Sequence, residues 1–161
     1  MSLKKYQTKR DFKKTSEPKG KVKGKGQKVK GLIFVVQEHH ASHLHYDFRL
    51  EVGGELVSFA VPKGFPKTPK ERHLAVKVEN HPLEYAKFKG VIPKGEYGAG
   101  KVLIWDEGTY RPLAPMEKML KEGKATFELM GRKLKGEWAL IRFKGSEKNW
   151  LLIKKKSNFN F

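Results

Sequence analysis

From Leu32 onward the chain consists of short apolar or alternating segments, each closed by Gly, Pro or a Gly pair. Residues 32–37 form a compact apolar run, and residues 45–52 alternate. Gly53-Gly54 then turns the chain into 55–60, which reads as a hairpin. Further strands are predicted at 73–78, 101–106, 108–111, 125–130, 137–143 and 150–154. A single helix is predicted over 115–122, with Pro115 at its start and Gly123 as its stop. Short strands at regular spacing favour a mainly β fold, a small closed or nearly closed β-barrel with one short helix, over a βαβ architecture.

Residues 1–30 are different. They hold twelve Lys and Arg against two Asp and Glu, so they supply +10 of the chain's +18. The Lys-Gly alternation over 19–26 has no face to bury. This divides the chain into a basic N-terminal arm, 1–30, and a barrel domain, 31–161. An excess of this size points to a polyanion partner, with nucleic acid ahead of an anionic membrane surface because no basic amphipathic helix stands out. The absence of cysteine excludes disulfide frameworks, thiolate metal sites and cysteine nucleophiles. With no signal-peptide pattern and no apolar stretch of spanning length, the chain reads as soluble and cytoplasmic, and as a monomer.

Four of the six histidines fall within residues 39–45. Along 45–52, Tyr46, Phe48, Leu50 and Val52 form one face, and His45, Asp47, Arg49 and Glu51 form the other. A buried polar row is costly unless its members are paired or bind something. A metal supplies that reason. His45 and Asp47 project an imidazole and a carboxylate roughly 7 Å apart along the strand. His39, six residues upstream of His45, can complete the set across a short loop. Such an N,N,O set suits Mn²⁺, Fe²⁺ or Zn²⁺ and leaves positions open for substrate. The alternative is a surface His-rich loop beside an ordinary salt-bridged strand. His40 and His43 read as loop residues.

The run from His39 to Glu51, then Ala60-Val61-Pro62-Lys63-Gly64, then Glu79-x-His81-Pro82-Leu83-x-Tyr85 and Ile92-Pro93-x-Gly95-Glu96-Tyr97-Gly98-Ala99-Gly100, closely resembles the 3′-phosphoesterase domain of bacterial DNA ligase D. Lys9-Arg10-Asp11-Phe12 and Glu17-Pro18 match as well, so the resemblance spans nearly the whole chain. It implies a stand-alone member of that family: a β-barrel with a polar crater and a Mn²⁺-dependent activity, with Co²⁺ or Zn²⁺ as other candidate metals. The implied activity acts in DNA repair on primer-strand 3′ ends in two steps, a phosphodiesterase step removing a terminal ribonucleoside and a phosphomonoesterase step removing the 3′-phosphate. A DNA ligase and polymerase are implied as partners in trans. By position, His39, His45 and Asp47 are implied as metal ligands. His81 and Arg49 are implied at the phosphate, with Lys63 and Tyr85 nearby. Arg10, Asp11 and Glu17 are implied to fold back onto the crater from the arm.

One position departs. Directly before Leu74-Ala75-Val76 the family pattern has arginine, and this chain has His73, with Arg72 one place earlier. Either His73 takes over as a phosphate contact or the contact is lost, and the phosphomonoesterase step is expected to suffer first. In the mechanism these residues suggest, His81 is the general acid or stabilises phosphorane charge, and the nucleophile is open between water and a histidine. Two rivals remain. One is a non-haem iron oxygenase using His45, Asp47 and His81. The other is a basic barrel that binds nucleic acid and uses metal only structurally.

Overall fold

The computed structural model of the chain describes residues 3–20 and 31–156. Nine strands follow one another: β1 (Leu32–His40), β2 (Leu44–Val52), β3 (Glu55–Val61), β4 (Arg72–Pro82), β5 (Gly90–Ile92), β6 (Gly100–Pro112), β7 (Lys124–Gly131), β8 (Lys135–Arg142) and β9 (Asn149–Lys154). Eight of them pair in the order β1-β2-β3-β4-β9-β8-β7-β6, and β6 returns to β1, so the antiparallel barrel is closed. The ninth, β5, adds to the first residues of β6.

The alternation read in β2 decides which way the barrel faces. Phe48 and Leu50 point inward, with Phe34 and Val36 of β1, Phe59 and Val61 of β3, Phe127 of β7 and Leu140 of β8. The interior is therefore an apolar core. The polar row of β2 points out, yet Asp47, Arg49 and Glu51 are buried, because a second layer covers that wall. It consists of α1 (Leu3–Thr8), the 3-10 helix Leu83–Lys87 and β5. Tyr6, Tyr85, Phe88 and Ile92 pack there on Val35 and Leu56, which form the outer face of β1 and β3. A second helix, α2 (Met116–Glu122), turns Met116 and Met119 into the barrel core and plugs one end.

Several expectations are revised. Among the described residues there are two α-helices and a 3-10 turn where one helix was expected, because α1 is short and carries no helical period of its own; Tyr6 anchors it in the outer layer. The segments 101–106 and 108–111 are one long strand, continuous through Glu107. β1 runs on through His40, which is thus no loop residue, and β4 reaches Pro82. The first part of the arm lies on the barrel. Most of the Lys-Gly stretch, residues 21–26, lies outside the described residues. Among those described, no helix is long and apolar enough to cross a membrane.

Candidate metal centre

β1 and β2 are antiparallel neighbours, with His39 opposite His45 and Gln37 opposite Asp47. The third donor therefore arrives across a strand ladder and not across a loop. Donor atoms of His39, His45 and Asp47 lie within 4.8 Å of one another. His39 Nδ1 is 3.2 Å from Asp47 Oδ2, and His45 Nε2 is 3.1 Å from Asp47 Oδ1. The remaining ring nitrogens point away. His39 Nε2 donates to the Gly98 carbonyl at 2.7 Å, and His45 Nδ1 donates to the His43 carbonyl at 3.3 Å. Those outer bonds set each tautomer so that a lone pair faces the carboxylate. Gly98 turns its carbonyl toward His39 from a left-handed conformation, φ 76°, that costs glycine little.

Lone pairs aimed at a carboxylate repel it unless a cation lies between them or the rings protonate. Burial opposes charge on Asp47, but its contacts with the His39 and His45 rings and the charge of Arg49 outweigh it and hold the carboxyl far below the usual range. The hydrogen bond to Asp47 raises the His45 pKa, with burial acting the other way. Two imidazoles and a fixed carboxylate are a donor set that fits a divalent transition metal.

Beside the cluster lies a wall that carries two guanidinium groups. Arg49 follows Asp47 on the same face; its Nε donates to Gln37 Oε1 at 2.6 Å, while Gln37 donates to the carbonyls of Tyr85 and Phe88. From the arm, Arg10 donates through Nε to Glu17 at 3.0 Å and through Nη1 to Glu79 at 3.4 Å. His81 sits between the two guanidinium groups, with Arg49 Nη1 3.1 Å from its Nδ1 and Arg10 Nη2 3.4 Å from its Nε2. Burial and both positive charges push the His81 pKa well down. A neutral ring results. Glu17 also accepts from the Tyr85 hydroxyl at 2.6 Å, and burial keeps that phenol protonated. Apart from Gln37 and Glu17, which stand behind Arg49 and Arg10, these groups and the three donors line one cleft of about 310 Å³ on the outer wall of the barrel.

A family model for the DNA Ligase D 3′-phosphoesterase domain matches residues 37–142, from the buried Gln37 to the end of β8. This chain belongs to that family. It is 49% identical over 156 residues to the multifunctional non-homologous end joining protein LigD of Pseudomonas aeruginosa, covering 96% of this chain and 18% of that protein. It is 48% identical over 162 residues to the protein of the same name from Mycolicibacterium smegmatis, covering 96% and 21%. The LigD DNA repair protein of Mycobacterium tuberculosis is 47% identical over 161 residues, covering 96% and 20%. The chain spans about a fifth of the length of these relatives.

Not every residue expected at the 3′-phosphoesterase site is in the cleft. Arg10, His39, His45, Asp47, Arg49, His81 and Tyr85 line it, and Glu17 stands behind Arg10 and Tyr85. Asp11 is exposed and holds the arm's turn, accepting from the Lys13 amide at 3.1 Å. Lys63 does not line this cleft; it lies on the rim of another, at the barrel end. Nor does His73: its Nδ1 donates to the Gly64 carbonyl at 2.7 Å and its Nε2 faces Glu71 at 3.1 Å. The oxygenase ligand set is not assembled, since His81 stands between two guanidinium groups and His39 takes the third place. Residues missed as site parts are Gln37, Glu79, Lys9 and Tyr97. Lys9 bonds both Glu79, at 3.1 Å, and Tyr97, at 3.2 Å, tying the arm to the cleft rim. Gln37, a polar residue closing an apolar run, was the one signal available.

Proposed function

We propose that this protein is a divalent-metal-dependent phosphoesterase that trims the 3′ ends of nucleic-acid strands, with Mn²⁺ held by His39, His45 and Asp47. What supports the reading is one juxtaposition: a donor cluster opening onto Arg49, Arg10 and a neutral His81 in a single cleft. When bound, the metal supplies a Lewis acid that draws charge from a non-bridging phosphate oxygen. Arg49, its Nε tied to Gln37, presents its other nitrogens to the remaining oxygens, and Arg10 approaches from the arm. A neutral His81 acts first as a proton acceptor. It takes the proton of an attacking water and, once protonated, returns it to the leaving oxygen. Attack on a terminal diester releases a ribonucleoside and leaves a 3′-phosphate; attack on that phosphate leaves a 3′-hydroxyl. With both His73 nitrogens engaged and Lys63 outside the cleft, we assign the phosphomonoesterase as the slower step, because its substrate carries up to two charges. DNA ends undergoing non-homologous end joining are the setting that the LigD relatives suggest.

A labelled primer–template bearing one 3′-terminal ribonucleotide tests this. With Mn²⁺ the primer should lose its terminal nucleoside and later its 3′-phosphate, and with chelator it should stay intact. An unchanged primer in Mn²⁺, bound but never shortened, would make the protein a binding barrel.

A further inference from the structure

α2 plugs one end of the barrel, and the other end is open. There the cleft holds about 580 Å³, and its rim carries five lysines: Lys63, Lys67, Lys133, Lys135 and Lys154. No acidic side chain is among the described residues that line it. Its floor is aromatic. Tyr46 meets Trp105 edge-on at 5.6 Å, and Phe65 stacks on Trp105 at 6.1 Å and 17°. Trp105 and Tyr46 are only half-buried, so their rings can be reached from solvent.

The arrangement is held in place before any ligand arrives. Asp106, fully buried, accepts hydrogen bonds from the amides of Arg132, Lys133 and Leu134 at 2.8–3.1 Å. That clamp fixes the turn between β7 and β8, and it sets Lys133 Nζ 4.5 Å over the Trp105 ring. Gly131 is needed for the approach, since a Cβ there would lie 2.5 Å from Asp106 Oδ2 and 2.6 Å from Phe34. A cation ring above flat, accessible aromatics is the pairing that binds phosphates and stacks bases without reading sequence.

We infer that this open barrel end is a second nucleic-acid site, taking unpaired nucleotides with phosphates among the lysines and bases against Trp105 and Tyr46. The inference rests on the proposed function in taking nucleic acid as the ligand. The two sites share an edge. Tyr46 lies between His45 and Asp47 on β2 and points to the opposite face, so a strand crossing the start of β2 passes from one to the other. Unpaired nucleotides anchored at the barrel end would hold a 3′ terminus at the metal centre.

The test is binding of a fluorescent single-stranded 12-nucleotide DNA, read by anisotropy in chelator across a salt series. Lys133→Glu, Lys135→Glu and Lys154→Glu combined should weaken binding at least tenfold. The salt slope should shrink by about 2, for three phosphate contacts at roughly 0.7 each. A charge-matched control, Lys118→Glu, Lys121→Glu and Lys124→Glu at the plugged end, should change affinity less than threefold. Trp105→Leu should weaken binding roughly fivefold to hundredfold and abolish most ligand quenching of tryptophan fluorescence. Equal losses in the two triple variants, or wild-type binding by the cleft variants, would overturn the inference. Hydrolysis of the ribonucleotide-ended primer by the same proteins separates the two ideas. An active protein whose cleft variants bind normally loses only the cleft, and an inactive one that binds through the cleft loses only the catalytic reading.

Discussion

His39, His45 and Asp47 do little for the barrel's core, because they sit on its outer wall. Single replacement of any of them by Ala should lower turnover roughly 100-fold or more, since a polarising metal contributes several kcal/mol to such a reaction. The circular dichroism spectrum should be unchanged. Near wild-type rates in Mn²⁺ for all three variants would remove the ligand assignment. Lys77, by contrast, bears on stability. Burial lowers its pKa to about 8, against a pull the other way from Glu79 and an ordinary value of 10.5. Between those two values the unfolded chain holds a proton that the native chain has shed, so stability rises with pH from about 8 to 10.5 and the penalty is complete below about 8. Lys77→Met should stabilise the protein at pH 7 by about 1–3 kcal/mol and flatten that rise. Denaturant unfolding at pH 7 and pH 10 measures both effects, and an unaltered pH slope would show that Lys77 is not the group responsible.

At the level of elements, the arm forms part of the cleft through Arg10. Tyr6 is completely buried and its hydroxyl donates to the Pro18 carbonyl, closing the arm on itself over β4. Arg10 then reaches His81 and Glu79, and Glu17 reaches Tyr85. Deleting residues 1–18 should therefore lower turnover at saturating substrate at least about tenfold, the scale of one transition-state contact. It should also flatten the salt dependence of binding, as phosphate contacts are lost. A truncated protein that binds more weakly but turns over normally at saturation would reduce the arm to a tether.

For the whole molecule, the decisive feature is that core and chemistry occupy opposite faces of the same strands. The barrel interior is apolar but for the clamped carboxylate of Asp106, and the His39–His45–Asp47 cluster lies between the barrel wall and the outer layer. Chelation should abolish turnover while the near-UV circular dichroism of the folded barrel persists. The loss of stability should match binding linkage alone, about 2.7 kcal/mol at a hundredfold excess of metal over Kd. Unfolding on chelation at 25 °C would instead make the metal a structural strut.

Much of this was legible in the amino-acid order. The alternation of 45–52 assigned Phe48 and Leu50 to one side and His45, Asp47 and Arg49 to the other, because a strand's period of two allows nothing else. Punctuation by Gly and Pro marked most strands, and Pro115 with Gly123 bracketed α2. Family blocks named the site residues that the cleft does gather. Direction was not legible, since alternation is the same whether the polar row faces a lumen or a second layer. Tertiary structure decided that. It took α1, the 3-10 helix and β5, none with a period long enough to read, to bury the outer wall. Closure likewise set which motif residues meet: His39 comes opposite His45 by strand register, whereas Lys63, just past the end of β3, and His73, at the start of β4, are carried to the barrel rim. Sequence spacing fixes the face a side chain leaves from, and only the path of the closed sheet fixes what it meets.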